Sequence, residues 1–451
     1  MNLLTININT MITFKKGGVH PEENKFTNSN PIEIFPIPSQ VTLFTGQHLG
    51  VPAVPVVDKG DVVKVGQLVA RGEAFISANI HSPVSGVVQK IEPVADALGH
   101  KKTAIVINVE DDVWEEKIDR SPDIIATITR TKEEIINTMK DCGIVGLGGA
   151  CFPVHVKYMV PPDKKVDYLL INAAECEPYI TTDYRVMIEH GKECLIGIEA
   201  MLKASGAPVA LIGVENNKRD AIRHLTKLAK DHPNIKIRPL KVKYPQGAEK
   251  QLIQALTNRR VPAGKLPIEV GVIVNNITTT FAVYEAVQKN KPLIETFTTV
   301  TGKKVMEKRN YRIRLGTPIM DVLNSVGIPE NTKKIIAGGP MMGKAIANLN
   351  SFAVKGMSSL LMMDDAESYR GDVANCLRCG RCVTVCPMGL EPVLLQPLAE
   401  QSRWEECEKN GIMNCIECGS CQFECPANRP LLDFIRLGKH NTGLMIRNRK
   451  N

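Results

Sequence analysis

Eight of the thirteen cysteines fall into two matching runs. Cys376-x2-Cys379-x2-Cys382-x3-Cys386-Pro387 recurs, with an offset of 39 residues, as Cys415-x2-Cys418-x2-Cys421-x3-Cys425-Pro426. Three thiolates at this spacing wrap a tight turn around one face of a [4Fe–4S] cubane. The fourth comes after the turn and, in chains carrying two clusters, ligates the other one. That assigns Cys376, Cys379, Cys382 and Cys425 to one cluster, and Cys415, Cys418, Cys421 and Cys386 to the second. Gly380 and Gly419 each follow the second cysteine and leave bare backbone free to approach a sulfide. A pair of zinc sites needs two CxxC pairs and gives no reason for the x3-Cys-Pro ending. The chemistry of these residues is electron transfer. The other cysteines, Cys142, Cys151, Cys176, Cys194 and Cys407, are expected to be small buried apolar groups. So many cysteines without a secretory leader point to a reducing compartment.

A second group of residues suits anion and nucleotide binding. Gly143-Ile-Val-Gly146-Leu-Gly148-Gly149-Ala150-Cys-Phe152 leads to Lys157. Consecutive exposed N–H groups ahead of a helix bind anions, and a lysine adds charge. Asn172-Ala-Ala-Glu175-Cys-Glu177-Pro178 follows an apolar strand, at the strand end where α/β proteins place ligands. Two carboxylates there are hard to explain as core. Tyr244-Pro-Gln-Gly247-Ala-Glu249 and Val274-Asn275-Asn276-Ile-Thr-Thr279 offer polar groups at further strand ends or turns.

These residues need elements to position them. Residues 14–110 read as all-β, with short β-branched runs separated by Gly, Pro and Asp. Lys59–Ala70 and His81–Val88 resemble the two halves of a biotinyl/lipoyl-carrier barrel-sandwich. The hairpin between them, Ala74–Ile80, has no lysine to modify, so a structural barrel is expected. Residues 122–266 alternate strand and helix, with strands at Val166–Asn172 and Val209–Val214 and helices at Met187–Ser205 and Lys218–Lys230. Residues 268–350 return to short strands and glycine-rich turns. Glu391–Lys409 is expected to be helical between the two cysteine runs. No apolar run is long enough to span a bilayer, and Met1–Met11 lacks a secretory pattern. Residues 1–10 read as a dispensable extension. With 56 basic against 48 acidic residues the net charge is +8, a mild bias toward an anionic membrane face or an acidic partner. Arg436, Lys439, Arg447, Arg449 and Lys450 are expected to form a solvated, frayed end.

Between residues 143 and 279 the chain resembles the flavin-bearing subunit of respiratory NADH dehydrogenase of the complex I type. That family reads G-R-G-G-A-G-F-P, N-A-D-E-x-E-P, Y-x-C-G-E-E and N-N-V-E-T at these places. The resemblance implies that Gly146, Gly148, Gly149, Ala150, Lys157, Asn172, Glu175, Tyr244, Gly247, Asn275, Asn276 and Thr279 contact FMN. It implies that Phe152, Glu177 and Glu249 face NADH. Leu147, Ala174 and Ala248 depart from the pattern and remove charge around the flavin and nucleotide.

Over residues 12–440 the order of parts resembles the RnfC component of the Rnf ion-translocating oxidoreductase. The fold implied is multidomain α+β: a lipoyl-like β barrel-sandwich (12–112), an α/β FMN/NADH domain (122–266), a β-grasp module (268–350) and a helical two-cluster ferredoxin-like module (366–440). The implied function is electron transfer between NAD(H), FMN and two [4Fe–4S] clusters. A hydride carries two electrons and a cluster accepts one, so a flavin is needed to divide the pair. No catalytic side-chain nucleophile or acid–base pair is evident. The implied partners are the other subunits of an Rnf-type membrane complex, including a ferredoxin-like subunit, with NADH and soluble ferredoxin, and no nucleic acid. The implied location is peripheral, on the cytoplasmic face of the inner membrane. Two alternatives remain: a soluble NADH-dependent corrin reductase, whose barrel follows its clusters, and a non-catalytic iron–sulfur relay.

Overall fold

The apolar strand ahead of the Asn172 loop lies inside a four-stranded parallel sheet. The order is Ile235–Leu240, Ala210–Glu215, Tyr168–Ala173, Val272–Asn276. These strands are mostly buried on both faces, as their near-continuous Val/Ile/Leu composition requires. Helices cover both sides, and Gly191–Ser205 packs on Ile277–Lys289. A Cβ at Gly197 would overlap the Thr280 carbonyl, so the glycine sets that close approach. The expected helix Met187–Ser205 is two helices, Thr182–Glu189 and Gly191–Ser205, broken at His190, whose ring packs 4.5 Å from that of Phe281. In this computed structural model residues 11–449 are described; the expected N-terminal extension and Lys450 lie outside them.

The parallel sheet corrects one expected boundary. A division between 266 and 268 cuts off its last strand, Val272–Asn276, and the helix Ile277–Lys289 that follows. The run Ile277-Thr-Thr-Thr-Phe281 is β-branched and reads as strand, but Asn276 caps it as a helix by accepting bonds from the N–H groups of Thr278 and Thr279. The β-rich module is a mixed six-stranded sheet with strands at Glu295–Thr301, Arg309–Arg314, Lys334–Ala337, Lys344–Ala345 and Ser359–Met363. Its edge strand is Ile32–Ile34, borrowed from the N-terminal segment.

The barrel-sandwich is present. A four-stranded antiparallel sheet and a three-stranded sheet enclose Val41, Leu43, Val63, Val69, Ile80, Val88, Ile105 and Ile107. Its lysine-free hairpin does not swing free. Asn79 donates to the Asp141 carbonyl at 3.1 Å, and the Asn79 carbonyl accepts from the buried Lys355 at 2.8 Å. Lys355 also donates to the Gly143 carbonyl at 2.7 Å, tying barrel, α/β unit and mixed sheet together.

The cysteine module is helical. The link expected to be one helical stretch is Pro392–Glu400 and Trp404–Lys409, interrupted at Ser402, which has a positive φ of 57°. The basic end is not frayed within the described residues: Leu431–Asn448 is one helix, and Arg436 and Lys439 both pair with Glu417. Residues 12–34 stitch the parts together. Ile12 bridges Leu240, the Gly18 N–H donates to the Val385 carbonyl at 2.8 Å, Val19 pairs with Tyr244, and the Glu23 carbonyl accepts from the Tyr179 N–H at 2.9 Å. A Cβ at Gly17 would overlap the Val385 and Cys386 carbonyls. No helix among the described residues is long and apolar enough to cross a membrane.

Candidate flavin crevice and iron–sulfur centres

The glycine loop is closed at its base and open at its tip. Gly146 N–H donates to the Phe152 carbonyl at 2.9 Å, and Leu147 N–H donates to Thr279 Oγ1 at 3.0 Å. Gly148, Gly149 and Ala150 are exposed. A Cβ on Gly148 would come 2.5 Å from Asn276 Nδ2, whereas Gly149 faces open space. Asn276 cannot yield easily. Besides capping its helix, it donates to Asp183 Oδ2 at 2.7 Å, and Asp183 accepts a second bond from Thr278 Oγ1 at 2.7 Å. Burial raises the Asp183 carboxyl, opposed by these two bonds. Nothing in the sequence signals Asp183; it is simply an acid in the first turn after the Glu175 loop. Asn275 donates to the Tyr158 hydroxyl at 2.8 Å, and its Oδ1 is buried with no partner among the described residues. Lys157 donates to the Val274 carbonyl at 2.7 Å; burial lowers its pKa, with Glu249 opposing.

The Asn172–Pro178 loop forms the facing wall. Asn172 Nδ2 donates to the Gly247 carbonyl at 2.8 Å. Glu175 sits at a positive φ of 48° and turns its carboxylate onto the Asp183 N–H at 2.7 Å, at the start of the Thr182–Glu189 helix. Burial pushes its carboxyl up to about 7, with Lys25 the main opposing charge. Glu177 accepts from the N–H groups of Met341 at 3.2 Å and Met342 at 2.8 Å. The loop Gly338–Gly343, from the mixed sheet, thus reaches into this site, and a Cβ at Gly339 would overlap the Glu177 carboxylate. Lys25 donates to the carbonyls of Glu175, Glu177 and Ile180 at 2.9, 2.8 and 2.6 Å and holds the loop in shape. Sequence reasoning misses both Lys25 and the Gly338–Gly343 loop, because they come from sequence-distant modules. A cavity of about 170 Å³ lies against this loop, lined by His20, Glu23, Lys25, Glu175, Cys176 and Tyr244. Glu249 is exposed at the first position of its helix, and Phe152 is half-buried.

Burial also pushes the Glu177 carboxyl up to about 7 from an ordinary 4.5. A raised carboxyl stabilises the fold in its neutral form. That contribution is complete below pH 4.5 and is lost as pH rises through about 7. Glu177→Gln is therefore expected to flatten the fall in stability between about pH 5 and 8, by about 1 kcal/mol for this half-buried group. Urea midpoints at the two pH values measure it, and equal slopes for both proteins would refute the assignment.

Tyr244 joins the crevice to the cysteine module. Its hydroxyl donates to the Cys418 carbonyl at 2.7 Å, leaving its oxygen 3.3 Å from Glu177 Oε1. Val19, Tyr244 and Cys418 form one buried apolar cluster, with Cys176, Met341 and Ile416 against it.

Cys386 lies near the second motif and Cys425 near the first. Cys386 is close enough for its charge to be felt at Cys415, Cys418 and Cys421, and Cys425 and Cys376 act on Cys382 in the same way. Burial is the largest cause raising all four of those thiols. Backbone N–H groups already point at sulfur, Leu390 to Cys386 at 3.3 Å and Glu417 to Cys415 at 3.4 Å. Among the described residues no three ligating side chains converge on a single-ion position. The donor chemistry and the crossed grouping fit two clusters; the open Gly148–Ala150 tip and the orphaned Asn275 oxygen fit a flavin phosphate and ring. The set Cys386, Cys415, Cys418, Cys421 is half-buried to buried, and Cys376 and Cys379 are exposed. Of the remaining thiols, burial pushes Cys142 up to about 12 and Cys151 up to about 11, so they are protonated packing groups.

Comparison with known proteins agrees with this geometry. The Nuo51 FMN-binding domain family matches residues 139–285, the RnfC barrel sandwich hybrid domain matches 12–112, and the 4Fe-4S dicluster domain matches 368–426. The C component of the proton-translocating ferredoxin:NAD(+) oxidoreductase complex of Clostridium ljungdahlii is 43% identical over 94% of this chain and 93% of its own length. The chain belongs to the RnfC family. The C component of the Na(+)-translocating complex of Acetobacterium woodii is 39% identical over 94% of this chain and 96% of its own length. Among solved structures, an NAD+-reducing [NiFe]-hydrogenase in the H2-reduced state aligns with a TM-score of 0.51 at 17% identity, covering 72% of this chain and 65% of that one; it shares the fold. As an RnfC-family member the chain has an FMN-binding domain and a two-cluster domain, and its barrel precedes the clusters.

Proposed function

We propose that this chain is the NAD(H)-handling subunit of a membrane-bound ion-translocating ferredoxin:NAD(+) oxidoreductase complex. It is held peripherally on the cytoplasmic face by other subunits, among them a ferredoxin-like one. The observation that carries the reading is the Tyr244–Cys418 bond, because it makes the nucleotide crevice and the buried cysteine set one continuous structure.

Bound FMN supplies the exchange between a hydride pair and single electrons. The chain's residues supply the rest. The exposed amides of Gly148, Gly149 and Ala150, with Lys157, are assigned to the flavin phosphate, Gly146 closes the base of that loop on the Phe152 carbonyl beside the flavin, and Lys157 must exchange the Val274 carbonyl for the phosphate. Asn172, Glu175, Tyr244, Gly247, Asn275, Asn276 and Thr279 wall the flavin. Phe152, Glu177 and Glu249 are assigned to NADH. The buried cysteine set adjoins the crevice through Tyr244, and Cys376 and Cys379 of the other set are exposed.

Anaerobic purification followed by iron, sulfide and flavin counts and an NADH titration tests this reading. Two clusters and one FMN per chain, bleached by NADH, are expected. Zinc in place of iron, or no flavin uptake on reconstitution, would remove it. Intact clusters without flavin would favour the non-catalytic relay.

A further inference from the structure

The duplicated cysteine loop carries its own template for a partner. With the 39-residue offset, Leu377, Arg378, Cys379 and Gly380 of the first loop correspond to Ile416, Glu417, Cys418 and Gly419 of the second. The backbone is the same in both: Arg378 and Glu417 have positive φ of 53° and 57°, and Gly380 and Gly419 of 73° and 78°. The surroundings differ. The second loop is covered by the rest of the chain. Ile416 packs into the cluster of Val19, Tyr244 and Met341, Glu417 pairs with Arg436 and Lys439, and a Cβ at Gly419 would come 2.8 Å from the Met341 carbonyl.

No other described residue covers the first loop. Residues 372–381 are exposed without interruption, Leu377 at 68%, and a Cβ at Gly380 would meet nothing within 4 Å. Tyr369, Val373, Val393 and Leu394 add exposed apolar surface. The charge is inverted at the matching position. Where Glu417 finds two cations, Arg378 projects with no carboxylate partner among the described residues, and Arg381 beside it is also exposed. The span Cys376–Cys382 contains two arginines and no acid.

We propose that the first loop is the docking face for a separate acidic redox protein, which covers Leu377 with an apolar side chain and pairs Arg378 with a carboxylate. The second loop shows that such a cover fits this backbone, and the inverted charge gives the sign of the partner. A large exposed apolar patch beside unpaired cations, at the place where electrons must leave the chain, is the surface an electron-transfer partner needs. The proposal rests on the redox reading above.

The test uses the intact membrane complex. A photoactivatable benzoylphenylalanine at Leu377 is expected to crosslink to an Asp/Glu-rich segment of another subunit. Crosslinks to a second copy of this chain or to lipid, or none at all, would overturn the proposal. In parallel, Arg378→Glu is expected to slow NADH-driven electron delivery beyond this chain about tenfold at low salt and to abolish its dependence on ionic strength. NADH–ferricyanide activity and iron content should stay at wild-type level. Wild-type rates and salt dependence in Arg378→Glu would refute docking, and so would a slowing that is equal at all salt concentrations, which is the mark of an altered cluster potential. Absent ferricyanide activity in the wild-type complex would instead refute the redox reading itself.

Discussion

Cys386→Ser is expected to destroy the cluster of the motif that follows it and to spare the one in whose sequence it lies. The iron content should fall by about half. NADH-driven transfer to a protein acceptor should drop to background, while ferricyanide, which takes electrons at the flavin, is still reduced. The reason is spatial. Cys386 stands among Cys415, Cys418 and Cys421, the set beside Tyr244, and a serine oxygen is a poor substitute for a soft thiolate. Cys425→Ser is the reciprocal case and should damage the exposed cluster of Cys376, Cys379 and Cys382. EPR of the reduced variants separates the two. If each serine removed the cluster of its own motif, the crossed pairing would be wrong.

Gly148→Val should empty the flavin site. Any Cβ there meets Asn276 at 2.5 Å, and Asn276 is fixed by the helix cap and by Asp183. The loop must move instead, at a cost of about 1–3 kcal/mol, and its anion-binding amides move with it. Flavin fluorescence released on denaturation should fall to about a tenth of wild type or less, with cluster absorbance unchanged. Gly149→Ala is the control for folding alone, since no described residue lies within 4 Å of its Cβ. Full flavin retention in Gly148→Val would mean that this loop does not cradle the cofactor.

The parts of the site that are legible from the sequence are those whose chemistry is local. Two cysteine runs with fixed spacing announce iron–sulfur chemistry, and a glycine loop with Asn and Glu at strand ends announces a flavin domain. Orientation and long-range contact are not legible in that way. Glu175 and Glu177 look alike in the sequence, yet one turns onto the Asp183 amide at the start of a helix and the other onto the Met341 and Met342 amides of another module. Asp183 acts on the site only because its helix returns beneath Asn276. The segment from Val272 to Lys289 reads as part of the wrong module because three consecutive threonines hide a helix that only its cap and its packing on Gly191–Ser205 reveal. Spacing does not tell Leu377 and Arg378 from Ile416 and Glu417, since the difference lies in what the rest of the chain does or does not bring to them.

The seam made by residues 12–34 imposes an order on assembly. The ribosome releases this segment before any of the surfaces it grips has been made, and the last of them, Cys418 in the cluster with Val19, emerges late in synthesis. Native closure therefore waits for nearly the whole polypeptide, a high-separation contact of the kind that forms slowly. Gly17 then lies flush against the backbone of Cys386, where a side chain would not fit. Under the proposed ligand assignment, iron loading at that cysteine has a natural window, between the birth of the C-terminal module and the moment the leading segment shuts over it.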